Sequence, residues 1–150
     1  MTVRVRPVAQ EDAAAWLRMR KTLWPEDNGG GHAQEIEEFL AGRLKMPVAV
    51  LVAVDDDDRP IGFVELFIRT YAEDCLTDRV AYLEGWYVEP EYRRQGVGRA
   101  LVEASEQWGR AEGCTEFGSD ALIENDVSAA AHAALGFVET AQIRCFKKNL

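Results

Sequence analysis

A predicted strand, a glycine-rich turn and a long amphipathic helix follow one another within residues 80–110. Residues 80–88 have strand character, Pro90 ends the strand, and apolar residues recur on one helical face over 96–110. The turn over residues 93–98 reads Arg-Arg-Gln-Gly-Val-Gly. Glycines let a backbone approach a bulky anion closely, and the N–H groups and dipole of a helix start favour phosphate. The segment therefore predicts a phosphate site, and a glycine-rich helix start with solvated arginines is the alternative.

Hydrophobic periodicity predicts further helices and strands on both sides of this segment. In chain order they are a strand at residues 3–6 that Pro7 ends, a helix over 10–24, a helix around 36–44, a hairpin of strands over 47–54 and 61–68, a strand over 115–120, a helix over 125–135, and one or two terminal strands over 137–148. This order departs from the alternation of a doubly wound sheet, so it predicts a mixed α/β or α+β fold with antiparallel early strands. Gly85, in the middle of its strand, predicts a β-bulge or a close approach to the backbone.

Size and charge restrict the domain organisation and the partners. The 150 residues have the size of one domain, residues 1–150. The chain carries 17 Lys and Arg residues against 26 Asp and Glu residues, which gives a net charge of −9. Because Lys and Arg bind phosphate backbones, this balance argues against a nucleic-acid partner and favours a cationic partner. Four consecutive aspartates at 55–58 are interpreted as a solvated turn rather than a cation site.

Apolar runs and cysteines bear on location and metal chemistry. The apolar stretch over residues 47–54 is far shorter than the roughly 20 residues that span a bilayer, so we expect no membrane partner. Residues 1–10 contain charges and a proline instead of an apolar signal core, which predicts a cytoplasmic protein. Cys75, Cys114 and Cys145 are widely separated, so we expect reduced thiols and no metal.

The glycine-rich turn belongs to a longer pattern. A strand ending in V-x-P, an aromatic residue and R-x-x-G-x-G at the helix start correspond to Val88, Pro90, Tyr92, Arg93, Gly96 and Gly98. The pattern resembles the acyl-CoA signature of the GNAT superfamily of N-acetyltransferases, and residues 134–137 resemble its late L-G-F element. Other segments are similar to the short aminoglycoside 6'-N-acetyltransferases, namely residues 20–25, 83–85, 107–109, 113–114, 119–120, 124–125 and 132–140. The resemblance implies a GNAT-type single domain, with a mixed, mostly antiparallel sheet flanked by helices, and acetyl-CoA as cosubstrate.

The resemblance assigns acetyl-CoA to the strand and the helix start. We expect pyrophosphate on the N–H groups of residues 94–99, and the thioester along residues 86–88, where a backbone N–H polarises its carbonyl. The expected contacts are Trp86, Tyr87, Val88, Arg93, Arg94, Gln95, Gly96, Val97, Gly98 and Arg99. Asn125 is expected either on the pantetheine chain or as a helix cap. His132 stands where many members of the superfamily carry a tyrosine that protonates the departing thiolate, and a packed helix histidine is the alternative.

The resemblance also implies a pocket for the amine. Its expected residues are Trp24, Asp27, Tyr71, Glu84 and Asp120. Asp27 stands where family members often have a histidine. Glu84 is the first choice for the base that deprotonates the amine, and Asp120 is the second. Strand alternation places Glu84 on the same face as Tyr82 and Trp86 unless a bulge shifts the phase.

Spacing alone leaves plainer roles and other functions open. Glu84 also fits the solvent face of an edge strand, Trp24 fits core packing, and Asp120 fits a turn cap. The expected function is transfer of the acetyl group of acetyl-CoA to the 6'-amino group of aminoglycoside antibiotics, which confers resistance. The alternatives are acetylation of another cationic amine, such as a polyamine, a metabolite or a protein amine, and a non-catalytic acetyl-CoA-binding module.

Apolar residues near the C-terminus bear on the oligomeric state. Ile143, Cys145 and Phe146 fit an edge strand that pairs or exchanges with a second subunit, as in a homodimer. The same residues also fit the last strand of a single sheet. Because relatives of this type are often dimers, the resemblance favours the homodimer.

Overall fold

One five-stranded sheet organises the protein in a computed structural model, which describes residues 1–26 and 31–150. The elements in chain order are β1 (Arg4–Pro7), α1 (Ala13–Leu23), α2 (Gly31–Leu40), β2 (Ala49–Val54), β3 (Pro60–Arg69), β4 (Val80–Val88), α3 (Val97–Ala111), β5 (Phe117–Ser119) and α4 (Asp126–Ala134). The strands lie in the order β1-β2-β3-β4-β5, antiparallel except for the parallel pair β4 and β5. This confirms the mixed, mostly antiparallel sheet flanked by helices. No helix in the described ranges is long and apolar enough to cross a membrane.

Helices cover both faces of the sheet because the central strands are buried on both sides. On one face, called the α3 face, α3 packs against Leu66 and Leu83. On the other, called the α1 face, α1 and α2 pack against Phe63. A buried ion pair fixes α1 to its face, since Arg20 Nε donates to Glu65 Oε2 at 2.9 Å. The sheet thus has two separate packed faces, and a strand side chain belongs to one or the other.

A β-bulge interrupts β4 at Glu84. Leu83 and Gly85 pair with successive residues of β3, so Glu84 is the extra residue of the longer strand. Leu83 lies on the α3 face, whereas Gly85 lies against Trp24 on the α1 face. A Cβ at Gly85 would come within 2.7 Å of the Trp24 ring, so this position requires glycine. The bulge predicted at the glycine is confirmed.

The bulge corrects the alternation expected for the side chains of β4. Tyr82 pairs with Phe67, which lies on the α1 face two residues beyond Glu65. Trp86 lies on the α3 face, where it packs against Gly98. The extra residue moves the inward–outward alternation of the strand by one position. Every residue after the bulge therefore lies on the face opposite to the one expected from regular alternation. Glu84 therefore shares a face with Tyr82 and not with Trp86.

The terminal strands predicted over residues 137–148 are not formed, so that prediction is wrong. No helix or strand is assigned over residues 138–150, called the C-terminal tail. β5 is only three residues long and lies at the edge of the sheet. Because a strand needs hydrogen-bonding neighbours, the apolar residues of the tail cannot form one alone. Val138, Ile143 and Phe146 are 82%, 65% and 91% exposed.

The run of aspartates at 55–58 forms the turn between β2 and β3. Asp55 Oδ1 accepts the backbone N–H groups of Asp57 at 2.9 Å and of Arg59 at 3.0 Å. The bond from the Arg59 backbone is the main reason that the pKa of Asp55 lies below its usual value. This network is typical of an Asx turn and confirms the interpretation as a turn.

Candidate active site

The start of α3 offers unpaired backbone donors. No side chain caps the helix, and the Ala100 N–H donates to the Gly96 carbonyl at 3.0 Å. The N–H groups of residues 97–99 precede this bond and have no acceptor within the helix. Gly96 has φ +84, in the left-handed region, and a Cβ there would meet nothing within 4 Å. The helix start therefore combines free donors, a positive dipole end and open space, which suits a phosphate group.

Arginine side chains surround this helix start in two different ways. Arg93 Nε donates to the last carbonyl of β4 at 2.8 Å, and Gln95 Nε2 donates to a carbonyl of the preceding turn at 2.9 Å. These two side chains fix the turn itself. Arg94 and Arg99 are exposed and have no ion-pair partner within the described residues. Their guanidinium groups are therefore available for a phosphate.

Trp86 forms the wall between the helix start and β4. Its ring lies against Gly98, and its edge meets the His132 ring at a centroid distance of 5.2 Å. Trp86 Nε1 is buried and has no hydrogen-bond partner in the described part of the chain. A buried donor without an acceptor favours a bound group that accepts from it. We call Arg94, Gly96, Arg99, Trp86 and the N–H groups of 97–99 the cradle, and its donors fit acetyl-CoA.

Two expected cosubstrate contacts are available only through their backbones. Val97 is 1% exposed in the core of the α3 face. The Tyr87 ring lies on the α1 face, and its hydroxyl donates to Glu89 Oε2 at 3.2 Å. The side chains of Val97 and Tyr87 therefore do not face the cradle, whereas Val88 is half-buried on the same face as Trp86.

β4 and β5 separate beside the bulge. They pair only from Ala81 with Phe117 to Leu83 with Ser119, and β4 then continues to Val88 without β5. Backbone groups on this side of β4 have no strand neighbour, so they can bind an extended ligand. Asp120 follows the end of β5 at the mouth of this fork and is exposed.

Two predicted carboxylates lie in one chain of polar contacts on the α1 face. Glu84 Oε2 accepts from Arg69 Nη2 at 2.7 Å, and the Arg69 guanidinium carbon lies 3.6 Å from the centroid of the Tyr82 ring. The Tyr82 hydroxyl donates to Asp120 Oδ2 at 2.8 Å. Burial, together with Asp120, raises the pKa of Tyr82, so its phenol stays protonated at neutral pH and donates. We call Arg69, Tyr82, Glu84 and Asp120 the acidic pocket.

Trp24 lies beside this pocket at the end of α1. Its carbonyl accepts from His32 Nε2 at 2.8 Å, and the two rings stack at a centroid distance of 6.5 Å. The guanidinium of Arg20 lies 5.4 Å from the Trp24 ring centroid, and Gly85 leaves room for the indole. These contacts hold Trp24 against Gly85, the residue after Glu84, which suits one wall of an acceptor site.

Tyr71, also predicted for the acceptor pocket, follows β3 in the loop before β4, and 69% of its surface is exposed. It takes no part in the contacts that build the acidic pocket. The predicted residue Asp27 lies outside the described residues.

The two late residues expected on the cosubstrate have structural partners. Asn125 Oδ1 accepts from the Ser128 N–H at 3.0 Å and caps α4, so the helix-cap alternative is confirmed. His132 Nδ1 lies 2.7 Å from the Ser128 carbonyl, which only accepts, so this nitrogen carries the proton. His132 Nε2 lies 2.7 Å from Ser119 Oγ, which also contacts the Leu83 carbonyl at 3.3 Å. Both ring nitrogens are engaged, which favours the packed role over a general acid.

Sequence reasoning missed Arg69, Tyr82, Arg20 and His32. For Arg69 a signal exists, because it directly follows the strand predicted over 61–68 and continues the alternation of Glu65 and Phe67. No local pattern identifies Tyr82 as the partner of Asp120, since that contact depends on the pairing of β4 with β5. Among the described residues, no group of three or more His, Cys, Asp or Glu side chains gathers as metal ligands. The absence of a metal from the reaction stays a prediction.

Comparison with known families gives a match over most of the chain. Residues 16–137 match the Acetyltransferase (GNAT) family. Aminoglycoside N(6')-acetyltransferase type 1 from Klebsiella aerogenes is 56% identical over 146 residues, which cover 97% of this chain and 96% of that protein. The protein of the same name from Acinetobacter baumannii is 39% identical over 147 residues, which cover 97% and 98%.

Solved structures share the fold over the full length. AAC(6')-Iy in complex with the bisubstrate analogue CoA-S-monomethyl-acetylneamine superposes with a TM-score of 0.89 at 32% identity, covering 100% of both chains. The aminoglycoside antibiotic 6'-N-acetyltransferase AAC(6')-Ih from Acinetobacter baumannii gives a TM-score of 0.87 at 38% identity, covering 99% of both chains. The arrangement of cradle, fork and acidic pocket thus occurs in a fold shared with acetyltransferases.

Replacing Gly96 by valine tests the cradle. The side chain would enter the open space before α3, so the Gly96→Val variant should bind CoA about 10- to 100-fold more weakly, as after loss of one charge-assisted hydrogen bond. Gly113→Val is a matched control, because Gly113 ends the same helix with φ +82 and equally open space. The measurement is calorimetric titration with CoA, and equal affinities in the two folded variants would contradict the cradle.

Proposed function

Because the chain belongs to the GNAT acetyltransferase family, we propose that it transfers the acetyl group of acetyl-CoA to the 6'-amino group of aminoglycoside antibiotics. The observation that carries this proposal is the match, over nearly the whole length, to relatives named for that activity. The cradle supports acetyl-CoA as the donor, and the acidic pocket supports a cationic acceptor. Acetylation removes the positive charge of the amine and thereby confers resistance.

We propose distinct roles for the two sides of β4 in this reaction. Bound acetyl-CoA supplies the activated acetyl group as its thioester. The free N–H groups of residues 97–99, with Arg94 and Arg99, hold the phosphates. Unpaired backbone N–H groups of β4 in the fork donate to the thioester carbonyl as negative charge develops there. Trp24, Tyr71, Asp27 and the acidic pocket take the aminoglycoside.

The carboxylates have two tasks that conflict. A carboxylate near the acceptor ammonium stabilises the charged form, yet the amine attacks only as the neutral base. We propose that Glu84 holds the ammonium and then takes its proton, directly or through water, as the amine meets the thioester. Asp120 shares the attraction of the ammonium and is the second candidate for the base. The position of Glu84 at the bulge, beside the fork, supports this order.

An acceptor panel tests the function. With acetyl-CoA, we expect rapid CoA release with neomycin and little with paromomycin, which carries a 6'-hydroxyl in place of the 6'-amino group. Spermidine and a lysine peptide represent the other cationic amines. If either of these amines were the preferred acceptor, its class would be the substrate instead of aminoglycosides. CoA binding without turnover of any amine would identify a non-catalytic binding module. Expression in a susceptible bacterium should raise the inhibitory concentration of neomycin but not that of paromomycin.

Replacing Glu84 by glutamine tests the base. The Glu84→Gln change keeps shape and removes basicity, so kcat should fall by about 100- to 10,000-fold, the usual contribution of a positioned proton acceptor. Asp120→Asn should weaken turnover less. Glu103→Gln on the exposed side of α3 is the control for loss of one negative charge. A raised KM with preserved kcat in Glu84→Gln would assign Glu84 to cation binding alone.

We also propose that the protein is a homodimer in which the C-terminal tail of one copy pairs with β5 of the other. A groove of about 580 Å³ lies along β5 and α3, lined in part by Gly109, Phe117 and Phe137. The edge of β5 beside it has no strand neighbour among the described residues. The exposed tail carries apolar residues that a strand partner would bury. Edge, groove and tail are complementary, which supports exchange between two copies.

Mass measurement by light scattering after size exclusion tests the homodimer. At micromolar concentration we expect twice the chain mass of 16.8 kDa. Ile143→Asp with Phe146→Asp should give monomers, because the charges cannot be buried against the groove. Val48→Asp, at an exposed apolar site before β2, should remain dimeric. A monomeric wild type, or a tail variant that stays dimeric, would reject the exchange.

We propose that the acetyltransferase domain extends over residues 1–150 and works in the cytoplasm. β1 lies before the matched region of 16–137 but pairs with β2 through four residues, which supports its inclusion in the domain. The requirement for acetyl-CoA supports the cytoplasmic location. The acidic net charge and the described surface give no support to a nucleic-acid partner.

A further inference from the structure

The guanidinium of Arg69 lies between the two carboxylates of the acidic pocket. Its Nη2 is 2.7 Å from Glu84 Oε2, and its flat face covers the Tyr82 ring, whose hydroxyl reaches Asp120. Arg69 is the last residue of β3 and pairs with Val80 at the start of β4. Residues 65, 67 and 69 of β3 lie on one face of the strand, so Arg69 is on the α1 face with Glu65. It points toward Glu84, the extra residue of the bulge.

The ion pair of Arg69 and Glu84 engages only part of the carboxylate. Arg69 contacts Oε2, and the hydrogen bonds of the described residues leave Glu84 Oε1 uncommitted. One oxygen is therefore fixed by a cation inside the protein, while the other is left to accept from a substrate. The Glu84 side chain can adopt several rotamers, and the hydrogen bond from the Arg69 guanidinium stabilises one of them.

Stability does not explain this pair. The side chains are 35% and 29% exposed, and ion pairs that are open to solvent contribute little to folding. Burial alone would lower the pKa of Arg69, but the hydrogen bond and charge of Glu84 raise it, so the guanidinium remains charged. A permanent cation beside the proposed ammonium site also repels a cationic acceptor. A useful role for Arg69 must outweigh this repulsion.

We propose that Arg69 is a positioning residue, which holds the Glu84 carboxylate in the orientation that takes the proton of the acceptor amine at Oε1. This inference rests on the proposed role of Glu84. The ammonium nitrogen loses one proton to Oε1 and becomes the neutral nucleophile, while Arg69 keeps all its own protons. Arg69 thus acts on turnover and on acceptor binding with opposite signs, because it orients the base and repels the acceptor.

The kinetics of Arg69→Gln in the full chain test this role. With saturating acetyl-CoA and neomycin as acceptor, kcat should fall by about 10- to 100-fold, the loss that a misplacement of about 1 Å produces. The acceptor KM should stay unchanged or decrease, because a repelling charge is gone. Arg69→Lys keeps the charge and should recover part of kcat. Arg79→Gln, which removes an arginine paired with Glu112 outside the acidic pocket, should leave both constants unchanged.

A double-mutant cycle separates positioning from a structural role. If Arg69 acts through Glu84, adding Arg69→Gln to Glu84→Gln should cost no further kcat. Additive losses would assign Arg69 to its stacking on Tyr82 and overturn the proposal, as would a raised KM with preserved kcat. Absence of neomycin acetylation by the wild type would reject the proposed function instead. An active wild type with full kcat in Arg69→Gln would reject only the role of Arg69.

Discussion

The β-bulge at Glu84 is the constraint on which the site depends. If all residues of β4 paired regularly, with no bulge, Trp86 would share a face with Tyr82. The bulge places Trp86 on the α3 face, where its ring forms one side of the cradle. Glu84 stays on the α1 face with Arg69. Donor and acceptor groups then lie two residues apart on one strand, on opposite faces of one sheet.

Packing on the α1 face fixes the acceptor side of this arrangement. Glu65 lies opposite the bulge, is 1% exposed, and accepts from Arg20 and from Trp16 Nε1. Loss of one member of such a buried pair costs about 3–5 kcal/mol, since the other charge is left without a partner. Arg20 also lies over the Trp24 ring, which fills the space left by Gly85. The end of α1 is thus tied to the strand that carries Glu84.

Local patterns in the sequence predicted most of the fold. The apolar run of β2, the turn at Asp55 and the helix after Gly96 depend on neighbours within a few residues, so their sequence signals are strong. Gly85 located the bulge to within one residue. The contact of Tyr82 with Asp120 depends on how β4 pairs with β5, and no local pattern in the sequence fixes that register. The prediction of terminal strands over residues 137–148 was wrong because a strand forms only beside a hydrogen-bonding edge. The C-terminal tail does not reach such an edge within its own chain.

The charges of the two substrates explain why the site is divided by a strand. CoA is polyanionic and an aminoglycoside is polycationic, so their binding groups must have opposite signs and still meet at one bond. If Arg94 and Arg99 lay on the acidic face, they would pair with Glu84 and Asp120 and leave neither substrate a counter-charge. The apolar sheet between the faces separates the two sets, and the fork beside β5 connects them. Arg69 is the exception, a cation on the acidic side, which is why its effect on orientation has to exceed its effect on binding.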